Sequence, residues 1–141
     1  MKFERHLVSK KPPAEVLRLI ADFRHLMSWD DSVISVEPLD PVFGEGSRYR
    51  VKVRFSGNVI EMEYTVTAYE AGERAVLTGV APKATAIDVI EVEPSEAGTK
   101  VRYIAEIQLA FPYNLLDRWL ARGFAKTVDH AVAGLTRFLS S

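Results

Sequence analysis

Residues 98–111, GTKVRYIAEIQLAF, place Val101, Tyr103, Ala105, Ile107, Leu109 and Phe111 at alternate positions. Successive side chains of a strand point to opposite faces, so this stretch reads as one long strand with a single buried face. A proline-free segment of helical periodicity follows from Asn114 to the C-terminus. The chain therefore finishes as a long strand and a long helix, and what that helix covers decides what the protein can do.

Upstream, Pro94 to Gly98 read as the turn into this strand, and further strands are expected over Thr85–Glu93 and Ala75–Val80, with Gly72 and Pro82 between segments. From Ser47 to Phe55 the alternation is clean. Tyr49, Val51, Val53 and Phe55 fall on one side, and Arg48, Arg50, Lys52 and Arg54 on the other. A two-residue turn at Gly57-Asn58 would set Arg54 opposite Glu61, Lys52 opposite Glu63, Val53 opposite Met62 and Val51 opposite Tyr64. The basic row then reads as a solvated sheet face neutralised by cross-strand ion pairs rather than as a phosphate-binding stripe.

Residues 2–9 read as a first strand, ended by Lys11-Pro12-Pro13. Pro13 suits the first helical position, and Glu15 complements the helix dipole. Val16, Leu17, Ile20, Phe23 and Leu26 continue at helical spacing and predict a helix of about three turns. A short helical turn ending near Trp29, a strand from Ser32 to Leu39, and a loop at Pro41 and Gly44-Glu45-Gly46 complete the N-terminal third.

Six consecutive strands joined by short turns make an antiparallel meander, which the first strand can join at an edge. Such a sheet is roughly 29 Å wide, whereas a helix is only about 10–12 Å across. The sheet must therefore coil around the C-terminal helix. The expected architecture is an α+β domain spanning 1–141: a seven-stranded curved antiparallel sheet wrapped around a long C-terminal helix, with two short helices between strands 1 and 2.

Asn114 is the expected N-cap of that helix, with Asp117 three residues on and an end near Leu139, a length of about 39 Å. Leu116, Leu120, Gly123, Thr127, Ala131 and Phe138 form one stripe, and Arg118, Arg122 and Lys126 a second that reads as solvated surface. Gly123 and Gly134 cost about 1 kcal/mol each in a helix, which points to close backbone approach or a bend. Small residues in a plugging helix leave room for a cavity. Its expected wall is Tyr49, Val51 and Val53 from one strand, Met62, Tyr64 and Val66 from the next, Tyr103, Ala105 and Ile107 from the quoted strand, and Leu116 and Leu120 from the helix.

Composition narrows the classes. The chain has 141 residues, is 48% hydrophobic, contains no cysteine and carries a net charge of −1. That length suits one domain. A balanced charge gives no long-range attraction to nucleic acid or anionic lipid, and the lack of thiols excludes disulfides and thiolate metal sites. No signal-peptide core is read in MKFERHLVSKKPP, and no apolar run is long enough to span a bilayer, so the expectation is a cytoplasmic protein, monomer or homodimer, without nucleic-acid partners.

In order and spacing, the opening strand followed by PPAEVLRLIADF, the tryptophan of FRHLMSWDDSV, the glycine pair of FGEGSRYRV, and GTKVRYIAEI before the closing helix resemble the START-like, helix-grip (SRPBCC) superfamily. That superfamily includes polyketide cyclases and dehydrases, plant Bet v 1 proteins and START lipid-transfer domains. The resemblance covers essentially the whole chain. It implies a hydrophobic ligand held between the curved sheet and the last helix, with Trp29 near the cavity mouth. The chain departs from oxygenase relatives in lacking a cluster that would hold iron.

His6, His25 and His130 are scattered without metal-ligand spacing and read as structural or surface residues. Asp30-Asp31 reads as a capping or solvated pair. No metal or cofactor is expected, and GxSxG, P-loop and GxGxxG patterns are absent. One acid stands out: Asp88, in ATAIDVIEVEP. In a regular strand Asp88 faces inward with Ile90 and Val92, where burial would raise its pKa; alternatively Ile87 and Val89 face inward and a bulge turns Asp88 to solvent. Asp88, Tyr64 and Tyr103 are accordingly the candidate catalytic groups.

Three functions fit these residues. The first is binding or transport of a hydrophobic small molecule such as a lipid, polyketide or other aromatic compound. The second is a cyclase/dehydratase-like enzyme, without metal, in which pocket tyrosines and Asp88 move protons during ring closure. The third is a protein or ribosome interaction module, which an exposed apolar patch and a filled interior would favour.

Overall fold

A computed structural model describes residues 1–141. The strands are β1 (Lys2–Ser9), β2 (Val33–Pro38), β3 (Arg48–Phe55), β4 (Asn58–Glu70), β5 (Arg74–Ala81), β6 (Ala84–Ser95) and β7 (Gly98–Leu109), and the helices are α1 (Pro13–Ala21) and α2 (Asp117–Leu139). Short 3-10 segments cover Phe23–Ser28 and Tyr113–Leu116. All seven strands form one antiparallel sheet in the order β1-β7-β6-β5-β4-β3-β2. This is the curved, open sheet and long closing helix of a helix-grip fold, as the strand count and the width mismatch require. Register shifts between Val33 and Ser35 and between Val66 and Ala68 mark irregularities where strands can bend. No helix is long and apolar enough to cross a membrane.

The β3–β4 hairpin keeps the expected faces but not the expected pairs. Phe55 pairs with Asn58, so Val51 faces Met62, Val53 faces Ile60, Lys52 faces Glu61 and Arg50 faces Glu63. The turn residues are Ser56 and Gly57, at φ 50° and 79°. Two positive φ values give the twist a two-residue hairpin favours, and glycine takes the second position. Every expected pair is thereby displaced by two residues, which leaves the alternation intact. Arg50 bridges Glu37 and Glu61, each at 3.2 Å, and Arg48 pairs with Asp40 at 3.3 Å, but Lys52 and Arg54 make no ion pair, so the basic row is neutralised only in part. Pro94 also belongs to β6, opposite Thr99, rather than to the turn.

The first helix is shorter than the apolar spacing implies. Asp22 leaves helical geometry, with ψ 98°, and its carboxylate accepts hydrogen bonds from the Arg24 backbone at 3.2 Å and from Tyr49 Oη at 3.0 Å. Phe23 and Leu26 are therefore buried from the 3-10 segment instead of from α1. Burial works against the Asp22 charge, but the bonds from Arg24 and Tyr49 outweigh it and hold the carboxyl below its usual 3.8.

The last helix also starts late. Residues Tyr113–Leu116 form a 3-10 turn, Asn114 does not cap α2, and the helix begins at Asp117 with no side-chain cap. Leu135 and Leu139 are fully buried at its C-terminal end, whereas Leu120, Phe124 and Val128 are only partly covered. The C-terminal half of α2 is thus packed and the N-terminal half stands off the sheet. Gly134 fixes the packed end, because a Cβ there would collide with the Trp29 carbonyl. Gly123 is looser, since an added Cβ would meet only the edge of Phe55 at 3.3 Å.

Candidate functional site

Between the sheet and the standing-off half of α2 lies a cavity of about 170 Å³. Its wall is assembled from Val53 and Phe55 on β3, Ile60, Met62 and Tyr64 on β4, Ala84, Ala86 and Asp88 on β6, and Tyr103, Ala105, Ile107 and Leu109 on β7. Phe124, Thr127, Val128, Ala131 and Val132 close it from α2, and Trp29, Asp30 and Ser32 from the segment before β2. Sixteen of the 21 lining residues are hydrophobic.

Seven residues expected in the wall are there: Trp29, Val53, Met62, Tyr64, Tyr103, Ala105 and Ile107. Five are not. Tyr49, Val51 and Val66 share the inward face but are sealed in the core, with Tyr49 against Phe23 and bonded to Asp22. Leu116 sits in the 3-10 turn and is 46% exposed, and Leu120 lines an outer cleft instead of the cavity. Trp29, which the resemblance implied near the mouth, is 4% exposed and lines the cavity together with Asp30 and Ser32. Reading the helix stripe one position differently, through Phe124, Val128 and Val132 in addition to Thr127 and Ala131, would have found the helix wall.

Strand β5 contributes no side chain to the cavity, and Gly79 explains how Tyr64 reaches it. The Tyr64 ring lies over Gly79, its register partner, so closely that a Cβ there would fall 2.7 Å from the ring. Phe23 meets the same ring edge-on, with centroids 5.1 Å apart. Tyr64 is thus gripped from two sides.

Asp88 faces the cavity from a regular strand: β6 pairs without a bulge with both neighbours, and Ala86 and Ile90 on the same face are buried. Tyr103 Oη donates to Asp88 Oδ2 at 2.9 Å. Burial pushes the Asp88 carboxyl up to about 7, the Tyr103 bond counteracts this in part, and the charge of Asp30 adds to the rise. Tyr64 and Tyr103 are held well above 10 by burial and the nearby acids. Asp30 is raised by burial despite accepting from Ser32 Oγ at 2.7 Å and Ser32 N at 3.0 Å. It caps the turn into β2 while also facing the cavity.

The cavity adjoins an outer cleft of about 840 Å³ at Phe55 and Phe124, whose rings stack 3.9 Å apart and 6° from parallel. Both phenylalanines line both spaces, as do Ile60, Met62, Ala84 and Leu109. A polar cleft that shares Asp30, Ser32 and Thr127 with the cavity holds Asp31, Lys126 and His130. His6 is exposed beside Glu4, and His25 packs on Phe138, so the three histidines lie apart.

Residues 1–139 match the protein family described as polyketide cyclase / dehydrase and lipid transport. No curated protein matches the chain by sequence. Among solved structures, the ZhuI aromatase/cyclase of Streptomyces sp. R1128 superposes with a TM-score of 0.80 at 12% identity, covering 99% of this chain and 93% of that one. A protein of Thermus thermophilus superposes at 0.77 with 20% identity, covering 99% and 95%. Ara h 8.0201 does so at 0.71 with 13% identity, covering 99% and 97%. At these identities the likeness is one of fold.

Proposed function

The chain belongs to the polyketide cyclase / dehydrase and lipid transport family, and from that premise we propose that it binds or carries a hydrophobic small molecule, such as a lipid, polyketide or other aromatic compound, between the sheet and α2. The supporting observation is the cavity of about 170 Å³ between sheet and helix, with its predominantly apolar wall. Apolar space of this size is what small organic guests occupy; an engineered cavity of about 150 Å³ takes up benzene. The outer cleft beyond the phenylalanine pair would give a longer guest further room if the stacked rings part. Native mass spectrometry of gently purified protein, with thermal-shift screening of fatty acids, quinones and polyphenols, tests this. A retained small molecule or a saturable thermal shift is expected, and failure of every class to bind would overturn it.

A second reading, a cyclase-like enzyme, is favoured by one observation. Asp88, with its carboxyl near 7, and Tyr103 face the same apolar space, where a group that gains and loses a proton near neutrality suits acid-base chemistry on a carbonyl compound. Turnover of a poly-ketone substrate should then fall at least about a hundredfold in Asp88→Asn, within the usual range for loss of a general acid-base. Unchanged turnover in that variant and in Tyr103→Phe would dismiss the mechanism.

A further inference from the structure

Two oxygen atoms of the cavity wall have no protein partner and remain open to the cavity. Asp88 accepts from Tyr103 through Oδ2, which leaves Oδ1 free, and the Tyr64 hydroxyl makes no hydrogen bond although its residue is only 9% exposed. The polar side-chain atoms that are both unpartnered and sealed from contact are Trp29 Nε1 and Asp117 Oδ1, so these two oxygens are not shut in. Both side chains line the cavity, and the surface their oxygens keep faces it. The charges of Asp88 and Asp30 both act on the Tyr64 phenol, so the three groups surround one space. A carboxylate oxygen only accepts, and a phenol oxygen can accept while it donates, so the pair suits a guest that brings donors.

Charge narrows the kind of donor. Asp88 borders the space from β6 and Asp30 from the segment before β2, and neither belongs to an ion pair. Their hydrogen-bond donors, Tyr103 for Asp88 and Ser32 for Asp30, are neutral. The helix offers Phe124, Thr127, Val128, Ala131 and Val132, none of them ionisable. Arg54 borders the cavity through β3 but is exposed on the outer face with Lys52, and Lys126 and His130 line the polar cleft that shares Asp30. The cavity thus holds acid groups that no internal cation offsets, and burial makes their ionisation costly. In so apolar and poorly screened a space a guest anion adds to that cost, a neutral donor leaves it in place, and a cation relieves it. Trp29, Tyr64 and Tyr103 supply aromatic rings in the same wall, and aromatic rings beside carboxylates are surroundings that hold an ammonium group.

Resting on the reading of this cavity as a ligand site, we infer that its occupant is a hydrophobic amine, whose apolar body fills the space under α2 and whose protonated nitrogen donates to Asp88 Oδ1, with the Tyr64 hydroxyl as a second acceptor. The cavity then selects cationic amines over uncharged molecules of the same shape and turns away fatty-acid-like anions.

Three probes of one shape test this: 2-(aminomethyl)naphthalene, 2-naphthalenemethanol and 2-naphthoate, titrated calorimetrically at pH 8, where Asp88 is largely ionised and the ammonium still protonated. The amine should bind at least about tenfold more tightly than the alcohol, and the carboxylate more weakly than either. The ratio of amine to alcohol affinity should fall about tenfold in Asp88→Asn and about three- to tenfold in Tyr64→Phe, as loss of a charged partner and of one hydrogen bond imply. A readout on the unaltered protein guards against misfolding of the variants: the same ratio should shrink between pH 8 and pH 5, as Asp88 takes up its proton, while the affinity for the alcohol holds steady. Equal binding of amine and alcohol, tighter binding of the carboxylate, or an amine preference that survives both Asp88→Asn and the change of pH would overturn the inference while leaving a ligand-binding cavity standing. Absence of saturable binding by any of the three would overturn both.

Discussion

Tyr103 donates its phenolic hydrogen to Asp88 across 2.9 Å, from neighbouring strands and on the face that α2 covers. The pair joins an acid that resists ionisation to a donor that steadies its charged form. The folded Asp88 pKa of about 7 lies above the ordinary 3.8, so the folded protein holds this proton more tightly than the unfolded chain does. The associated stability is complete below pH 3.8 and is lost as the pH rises through about 7, after which it stays level. Asp88→Asn keeps an acceptor for Tyr103 and cannot ionise. It should be more stable than the parent by about 1–3 kcal/mol at pH 8, with the difference vanishing near pH 4. Melting temperatures of both proteins across this range check it.

Gly134→Ala should run against helix propensity. The exchange ordinarily stabilises a helix interior by about 1 kcal/mol. Here the new methyl would strike the Trp29 carbonyl, a backbone atom that cannot swing away. A net loss of about 2–4 kcal/mol is expected in urea denaturation, because overpacking against backbone displaces the helix.

Gly79→Ala should act on the cavity through Tyr64. The added Cβ would press on a ring already held by Phe23, so the ring must move toward the cavity. Stability should fall by about 1–3 kcal/mol. Affinity for a cavity-bound aromatic probe should fall about tenfold or more, read by titration at a temperature where the variant is fully folded.

Phe124→Ala should open the passage between cavity and cleft. Removing one ring of the Phe55 and Phe124 stack forfeits about 0.5–1.5 kcal/mol of aromatic contact beyond the area it buries. Stopped-flow fluorescence of an apolar dye should show association and dissociation both accelerated, by about fivefold or more if the stack is the barrier. Unaltered rates would mean that guests enter by another route.

What could be read from the residues was facing, not depth. The alternation in 98–109 correctly set Tyr103, Ala105 and Ile107 toward α2. The same alternation in Tyr49, Val51 and Val66 could not reveal that Phe23 and α1 seal their end of the face. Phe111 follows the pattern by position but falls beyond the end of β7 and is exposed. Register was decided by a local property of Ser56, a residue other than glycine at positive φ, which spacing alone does not disclose. The helix wall was misjudged for a related reason: Tyr113–Leu116 wind as a 3-10 turn, so Leu116 never joins the stripe that α2 carries inward. Phe124, Val128 and Val132 were visible as apolar residues, but their direction depends on how α2 tilts, which is set by Gly134 against Trp29.

The pairing of β1 with β7 joins residues 2–9 to residues 99–106. About two-thirds of the chain must be looped before these two strands can meet, and the entropy of that closure has to be met before their hydrogen bonds form. During synthesis, β1 therefore waits without its partner until the last third of the polypeptide has emerged. The remainder of the sheet can zip up hairpin by hairpin in the meantime, so completion of the N-terminal edge is the step that should set the folding rate.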